Sequence, residues 1–104
     1  MRVKPATYQH NSLTLYIPGL KDKYQGVVKD VSLGGIAATL EISSSDTILF
    51  KGKEVEIYME LGFINVKTKA IVLLKKGKDV AFLFKDLKDS SKKRISEYII
   101  SRLG

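Results

Sequence analysis

The amino-acid sequence predicts a mainly β domain, a six-stranded antiparallel barrel with one C-terminal α-helix. Between residues 12 and 84, several separate segments alternate apolar and polar side chains with period two, as half-buried strands do. After Asp86 the apolar spacing changes to three and four residues, which is typical of an amphipathic helix. The 104 residues, 44% of them hydrophobic and none of them Cys, fit one domain that buries its core without disulfides.

Six segments carry the strand pattern, and polar or glycine-containing turns separate them. The predicted strands cover residues 12–17, 25–31, 35–41, 53–60, 64–74 and 80–84. In the fifth strand the predicted inner side ends at Leu74, and Lys76-Gly77-Lys78-Asp79 then predicts a hairpin into the sixth. A flat sheet would leave one side of these strands without a partner, so we expect it to curl into a barrel against the helix.

The chain ends in the predicted helix and begins with a segment that has no clear period. The apolar positions of the helix are Ile95, Tyr98, Ile99 and Leu103. Asp89 or Ser90 is placed to cap its N-terminus. Residues 1–11 are predicted to form a flexible N-terminal arm, and residues 12–104 to form the barrel with its helix.

The charge of the chain favours an anionic partner. The 18 Lys and Arg exceed the 11 Asp and Glu, so the net charge is +7, which suits nucleotides, nucleic acid or other anions. Only Arg2, Arg94 and Arg102 have the planar guanidinium group that can form bidentate hydrogen bonds with a phosphate. No apolar stretch approaches the ~20 residues that a membrane span needs, and no signal peptide opens the chain, so cytoplasm is the expected location.

The sequence offers no catalytic or metal site. Its single histidine, His10, lies in the arm, and a zinc site needs several converging ligands. Gly52-Lys53-Glu54 lacks the upstream glycine and the hydroxyl of a phosphate-binding loop, and Ser32 is not in a nucleophile elbow. We therefore expect no enzyme activity, no metal and no tightly bound cofactor.

The segment Asp30-Val31-Ser32-Leu33-Gly34-Gly35, between the second and third strands, has two interpretations. It is a plain strand connection if Asp and Ser bond nearby amides and a glycine supplies a positive φ. Alternatively it is a nucleotide pocket. An ionised carboxylate accepts two hydrogens at once, which suits the N1–H and N2–H₂ edge of guanine, and a hydroxyl donates to phosphate. Asp30 and Ser32 are two residues apart and project from the same face of an extended segment.

These residues carry a family resemblance. The order D-x-S-x-x-G, followed by Ile36, resembles the signature of the PilZ family, and the similarity continues over nearly the whole chain. Gly52 before Val55-Glu56-Ile57, the strand Val80-Ala81-Phe82-Leu83-Phe84 and the closing helix with Glu97-Tyr98-Ile99 resemble later family segments, with Asp79 where a glycine is common. The resemblance implies a six-stranded barrel of the split-barrel type with a C-terminal helix. It also implies a receptor for the second messenger cyclic di-GMP.

The resemblance further implies an R-x-x-x-R motif in the arm, whose arginines grip the phosphates and the guanine edge. Arg2 is the only arginine of the arm, and its fourth successor is Ala6. Counting back from Asp30 without gaps places Lys4 and Tyr8 at roughly the arginine positions. The resulting ligand-binding residues are Arg2, Lys4, Asp30, Ser32, Gly34 and Gly35.

Three functions fit these observations. The first is a cyclic di-GMP receptor in which binding changes the arm and its contacts with a protein partner. The second is a PilZ-like adaptor that acts without ligand in motility, pilus or secretion assemblies. The third is a small barrel that binds nucleic acid, for which only Tyr16 and Tyr58 are placed outward to stack on bases. We expect no specific nucleic-acid partner.

Overall fold

The computed structural model describes residues 3–4, 11–21, 23–43 and 46–103. These residues form six strands and one helix: β1 (Ser12–Tyr16), β2 (Lys23–Val31), β3 (Gly35–Leu40), β4 (Glu54–Leu61), β5 (Ile64–Lys76), β6 (Asp79–Lys85) and α1 (Asp89–Leu103). The strands close into a barrel in the order β1-β2-β3-β6-β5-β4, and every neighbouring pair is antiparallel. The predicted fold class is confirmed.

Strand alternation fills the barrel as the sequence pattern requires. In β4 the side chains of Val55, Ile57 and Met59 are completely buried, and Glu56 and Tyr58 between them lie on the outer side. Burying one such side chain contributes about 1.5–3 kcal/mol relative to leaving it in water. The core therefore follows directly from the period-two pattern.

The end of β5 departs from that pattern. The register with β6 shifts between Val72 and Leu74, so this stretch contains a β-bulge. A bulge inserts one extra residue and resets the alternation of the strand. Val72 is buried while Leu74 is 61% exposed. The prediction that Leu74 shares the inner side of β5 was wrong for this reason.

A second bulge lies in β2, directly before the D-x-S-x-x-G segment. The register with β3 shifts between Val28 and Asp30, which makes Lys29 the extra residue. As a result Val28 and Val31 are both buried although they are three residues apart. The bulge thereby sets which residues after it face outward, and Asp30 and Ser32, both half-buried, flank the buried Val31.

Helix α1 packs on the barrel through one stripe of side chains. Its buried residues are Ser91, Ile95, Tyr98 and Ile99. Leu103, predicted to end this stripe, is 58% exposed, so that part of the prediction was wrong. The position seven residues after Ile95 and four after Tyr98 continues a helical stripe, and it holds the half-buried Arg102 instead. The helix begins at Asp89, so this carboxylate lies within its first turn.

The described part of the arm lies against β2. The N–H of Val3 donates to the Val31 carbonyl, and the N–H of Val31 donates to the Val3 carbonyl, both at 2.9 Å. Val3 is 8% exposed and joins the core. At the other end of the arm the Asn11 carbonyl accepts from the Val28 N–H at 2.8 Å. The arm is thus attached at Val3 and Asn11, and a flexible segment between these points stays a prediction.

Candidate functional site

The loop between β2 and β3 is a tight turn shaped by Ser32. The Ser32 N–H donates to the Gly35 carbonyl at 2.9 Å. The Ser32 Oγ accepts from the N–H groups of Gly34 and Gly35 at 3.3 and 3.2 Å. The hydroxyl proton faces the Gly35 carbonyl at 3.4 Å, a long contact. The lone pairs of Ser32 therefore serve the turn, while its proton is weakly held and suited to an incoming oxygen.

The two glycines of the loop have different roles. A Cβ built on Gly35 would lie 2.2 Å from the Phe82 carbonyl oxygen of β6, so only glycine lets β3 and β6 pair here. A Cβ on Gly34 would have the Ser32 Oγ, 4.0 Å away, as its nearest neighbour. Neither glycine has a positive φ, so that part of the plain-connection interpretation was wrong. Gly34 is open to a ligand, whereas the backbone of β6 occupies the space beside Gly35.

Asp30 lies on β2 opposite Ala37 of β3, between the exposed Lys29 and the buried Val31. The Nζ of Lys29 lies 3.9 Å from the Oδ1 of Asp79 on β6. That same Oδ1 accepts from the Thr39 hydroxyl at 2.7 Å. Lys29, the cation next to Asp30 in the chain, thus lies near a carboxylate on β6, which is two strands away from β2 in the barrel order.

The backbone pairing of the arm brings Lys4 to the motif. Val3 is opposite Val31 in an antiparallel bridge, so the residue after Val3 lies opposite the residue before Val31, which is Asp30. Val3 points into the core, and Lys4, its exposed neighbour, therefore belongs to the outer face. Lys4, Asp30 and the Ser32 loop meet at one place on the surface.

Arg2 and Tyr8 lie outside the described residues. The predicted site residues are thus brought together where the structure describes them, with Gly35 in a structural role.

Sequence reasoning missed one residue at this place. The Nε of Arg102, near the end of α1, donates to the Lys4 carbonyl at 2.8 Å across 98 positions of sequence. The available signal was its spacing, because Arg102 occupies the stripe position that follows Ile95, Tyr98 and Ile99.

A cleft lies elsewhere on the barrel and contains none of the motif residues. Its volume is about 490 Å³, and it is lined by Glu56, Lys67, Thr68, Lys69, Asp86 and Lys88. Side chains of both charge signs line it. The described residues hold no cluster of His and acidic side chains able to bind a metal ion. Within the same ranges, no helix is long and apolar enough to cross a bilayer.

The barrel order, the helix and the D-x-S-x-x-G turn define the class of protein. The family model for the PilZ domain matches residues 9–101, and the chain belongs to this family. The recognition made from the motif is confirmed. No curated protein is similar enough in sequence to count as a relative.

Solved structures show the same fold at low sequence identity. The PilZ domain with c-di-GMP of YcgR from Escherichia coli superposes with a TM-score of 0.79 at 17% identity, over 99% of this chain and 88% of that one. The PilZ domain of CeSA from a cellulose-synthesizing bacterium gives 0.71 at 16%, over 100% and 99%. The Bacillus subtilis inhibitor of motility, MotI/DgrA, gives 0.75 at 12%, over 98% of this chain and 49% of that one.

Proposed function

We propose that this PilZ domain is a receptor for cyclic di-GMP. The observation that carries the proposal is the convergence of complementary groups on one face. The arm is paired to β2 at Val3, so that Lys4 lies opposite Asp30 and beside the Ser32 turn. The solved YcgR domain and the PlzA protein of Borreliella burgdorferi are both described with c-di-GMP bound, which supports this ligand for the shared fold.

Each residue has a role that its chemistry suits. The Asp30 carboxylate accepts from the N1–H and N2–H₂ groups of guanine, and the weakly held proton of Ser32 donates to a ribose-phosphate oxygen. Lys4 and Arg2 provide positive charge to the phosphates. Gly34 leaves room for the ligand beside the turn.

The proposed output is a change in contacts, with no chemical step. A nucleotide bound between the motif and the arm would order the part of the arm that is predicted to be flexible and alter the surface shown to a protein partner. Because cyclic di-GMP is a bacterial second messenger, we place this activity in the cytoplasm of a bacterial cell.

The test is calorimetric titration of the folded protein with cyclic di-GMP at physiological salt. We expect saturable binding in the micromolar range or tighter. Cyclic di-AMP is the matched control, because adenine lacks the N1–H and N2–H₂ donors and would leave Asp30 unsatisfied. We expect it to bind at least about 10-fold more weakly. No heat at high micromolar cyclic di-GMP, or equal affinity for both dinucleotides, would contradict the proposal.

The same titration, together with two further binding measurements, distinguishes the receptor from the other two candidate functions. An adaptor that acts without ligand gives no heat, and its partner binding is unchanged when Asp30 is replaced by Ala. A barrel that attracts nucleic acid through charge alone binds oligonucleotides of any sequence and loses them as salt increases.

A further inference from the structure

Arg102 occupies an unusual position for a charged residue. It follows Ile95 and Tyr98 on the stripe through which α1 packs against the barrel, and it is half-buried there. Its only described acceptor is the Lys4 carbonyl, which takes the Nε hydrogen at 2.8 Å. A guanidinium carries five N–H donors, so its two terminal nitrogens remain for another acceptor.

The direction of the Lys4 carbonyl places Arg102 relative to the motif. Val3 directs both its N–H and its carbonyl toward Val31, so the backbone groups of the next residue point away from β2. Arg102 therefore lies on the side of the arm opposite β2. Asp30, Lys4 and Arg102 form a row across β2, the arm and the end of α1.

This row has the order of charges that a guanine nucleotide needs. A carboxylate at one end suits the guanine edge, and cations toward the other end suit the phosphates. Of the two arginines in the described part of the chain, Arg102 is the one that lies at the motif. Arg94 instead donates to the Asn65 carbonyl at the start of β5.

We propose that Arg102 is a nucleotide-binding residue, whose terminal guanidinium nitrogens bind a phosphate of the ligand from the C-terminal helix. The inference rests on the proposed function and adds the helix to the site. A ligand bound in this way touches β2, the arm and α1 together, so binding couples the helix end to the arm.

The experiment compares cyclic di-GMP affinity in Arg102→Ala, Arg102→Lys and Arg94→Ala. Arg94→Ala removes the same charge from the same helix and is the matched control. We expect Arg102→Ala to weaken binding by about 10- to 100-fold, because a charge-assisted contact with the phosphate, worth about 1.5–3 kcal/mol, is lost, and Arg94→Ala to stay within about 2-fold of wild type. Thermal unfolding checks that each variant is folded.

Arg102→Lys distinguishes a direct phosphate contact from a purely structural hydrogen bond between residue 102 and the Lys4 carbonyl. Lysine can donate to the Lys4 carbonyl but lacks the two-pronged phosphate contact. We expect Arg102→Lys to bind several-fold more weakly than wild type and to shift the ³¹P resonance of the bound ligand. Wild-type affinity and an unchanged ³¹P shift in Arg102→Lys would overturn the inference, as would wild-type affinity in Arg102→Ala. A wild-type protein that binds no cyclic di-GMP refutes the proposed function itself, and this inference with it.

Discussion

Gly35→Ala is expected to destabilise the domain by about 3 kcal/mol, the upper end of the usual cost of over-packing. The added Cβ would lie 2.2 Å from the Phe82 carbonyl oxygen, and the Phe82 carbonyl carbon and the Leu83 Cα would be within 3.4 Å. These atoms are backbone, so no side-chain rotation relieves the clash. Relief requires β3 and β6 to separate where Gly35 pairs with Leu83. A loss of this size is a large part of the stability of a small domain.

Gly34→Ala is the matched control for this change. The same atoms are added one residue earlier, where the nearest neighbour is the Ser32 Oγ at 4.0 Å and φ is not positive. We expect a change within about 0.5 kcal/mol, typical of open surface sites. Urea unfolding monitored by circular dichroism measures both variants. Equal midpoints for Gly35→Ala and wild type would show that β6 does not approach Gly35 as closely as described.

The largest expected effect on ligand binding comes from Asp30→Ala. The carboxylate is proposed to accept two hydrogens from one guanine, and a charge-assisted hydrogen bond contributes about 1.5–3 kcal/mol. Losing both would weaken cyclic di-GMP binding by roughly 10²- to 10⁴-fold. Asp30 is half-buried on β2, and the completely buried side chain beside it is Val31, so we expect the fold to remain. Calorimetry measures the affinity.

Two variants control for charge and shape in this experiment. Asp79→Asn removes the charge of a carboxylate on β6 that accepts from Thr39, and it should keep wild-type affinity within about 3-fold. Asp30→Asn keeps the shape of the side chain but replaces one acceptor by a donor, so it should bind nearly as weakly as Asp30→Ala. Tight binding of cyclic di-GMP by both Asp30 variants would show that the carboxylate does not contact the ligand.

The proposed site could be located in the sequence because its signal is local. Asp30, Ser32 and Gly34 are within five positions of one another in the chain, and short spacing brings such residues together in most extended segments. The role of Gly35 was not predictable. Nothing in its neighbouring residues shows that the backbone of Phe82, 47 positions later, packs directly against it.

The arm shows a similar division between local and long-range information. Counting along the sequence selected Lys4, and the structure places it opposite Asp30. The reason for that placement is the hydrophobic burial of Val3 and its two hydrogen bonds to Val31, which no periodicity within residues 1–11 indicated. The apolar residues of this segment, Met1, Val3, Ala6 and Tyr8, have no constant spacing by which the burial of Val3 could be recognised.

The amino-acid sequence alone determined the six strands, the closing helix and the family. Side-chain alternation and helical spacing are properties of neighbouring residues, and they decide which side of each element avoids water. Tertiary structure alone decided the bulges at Lys29 and Leu73, the fit of Gly35 against β6 and the meeting of Arg102 with Lys4. These features depend on the register between strands and on the packing of the helix against the barrel, which are set when distant segments compete to fill one core.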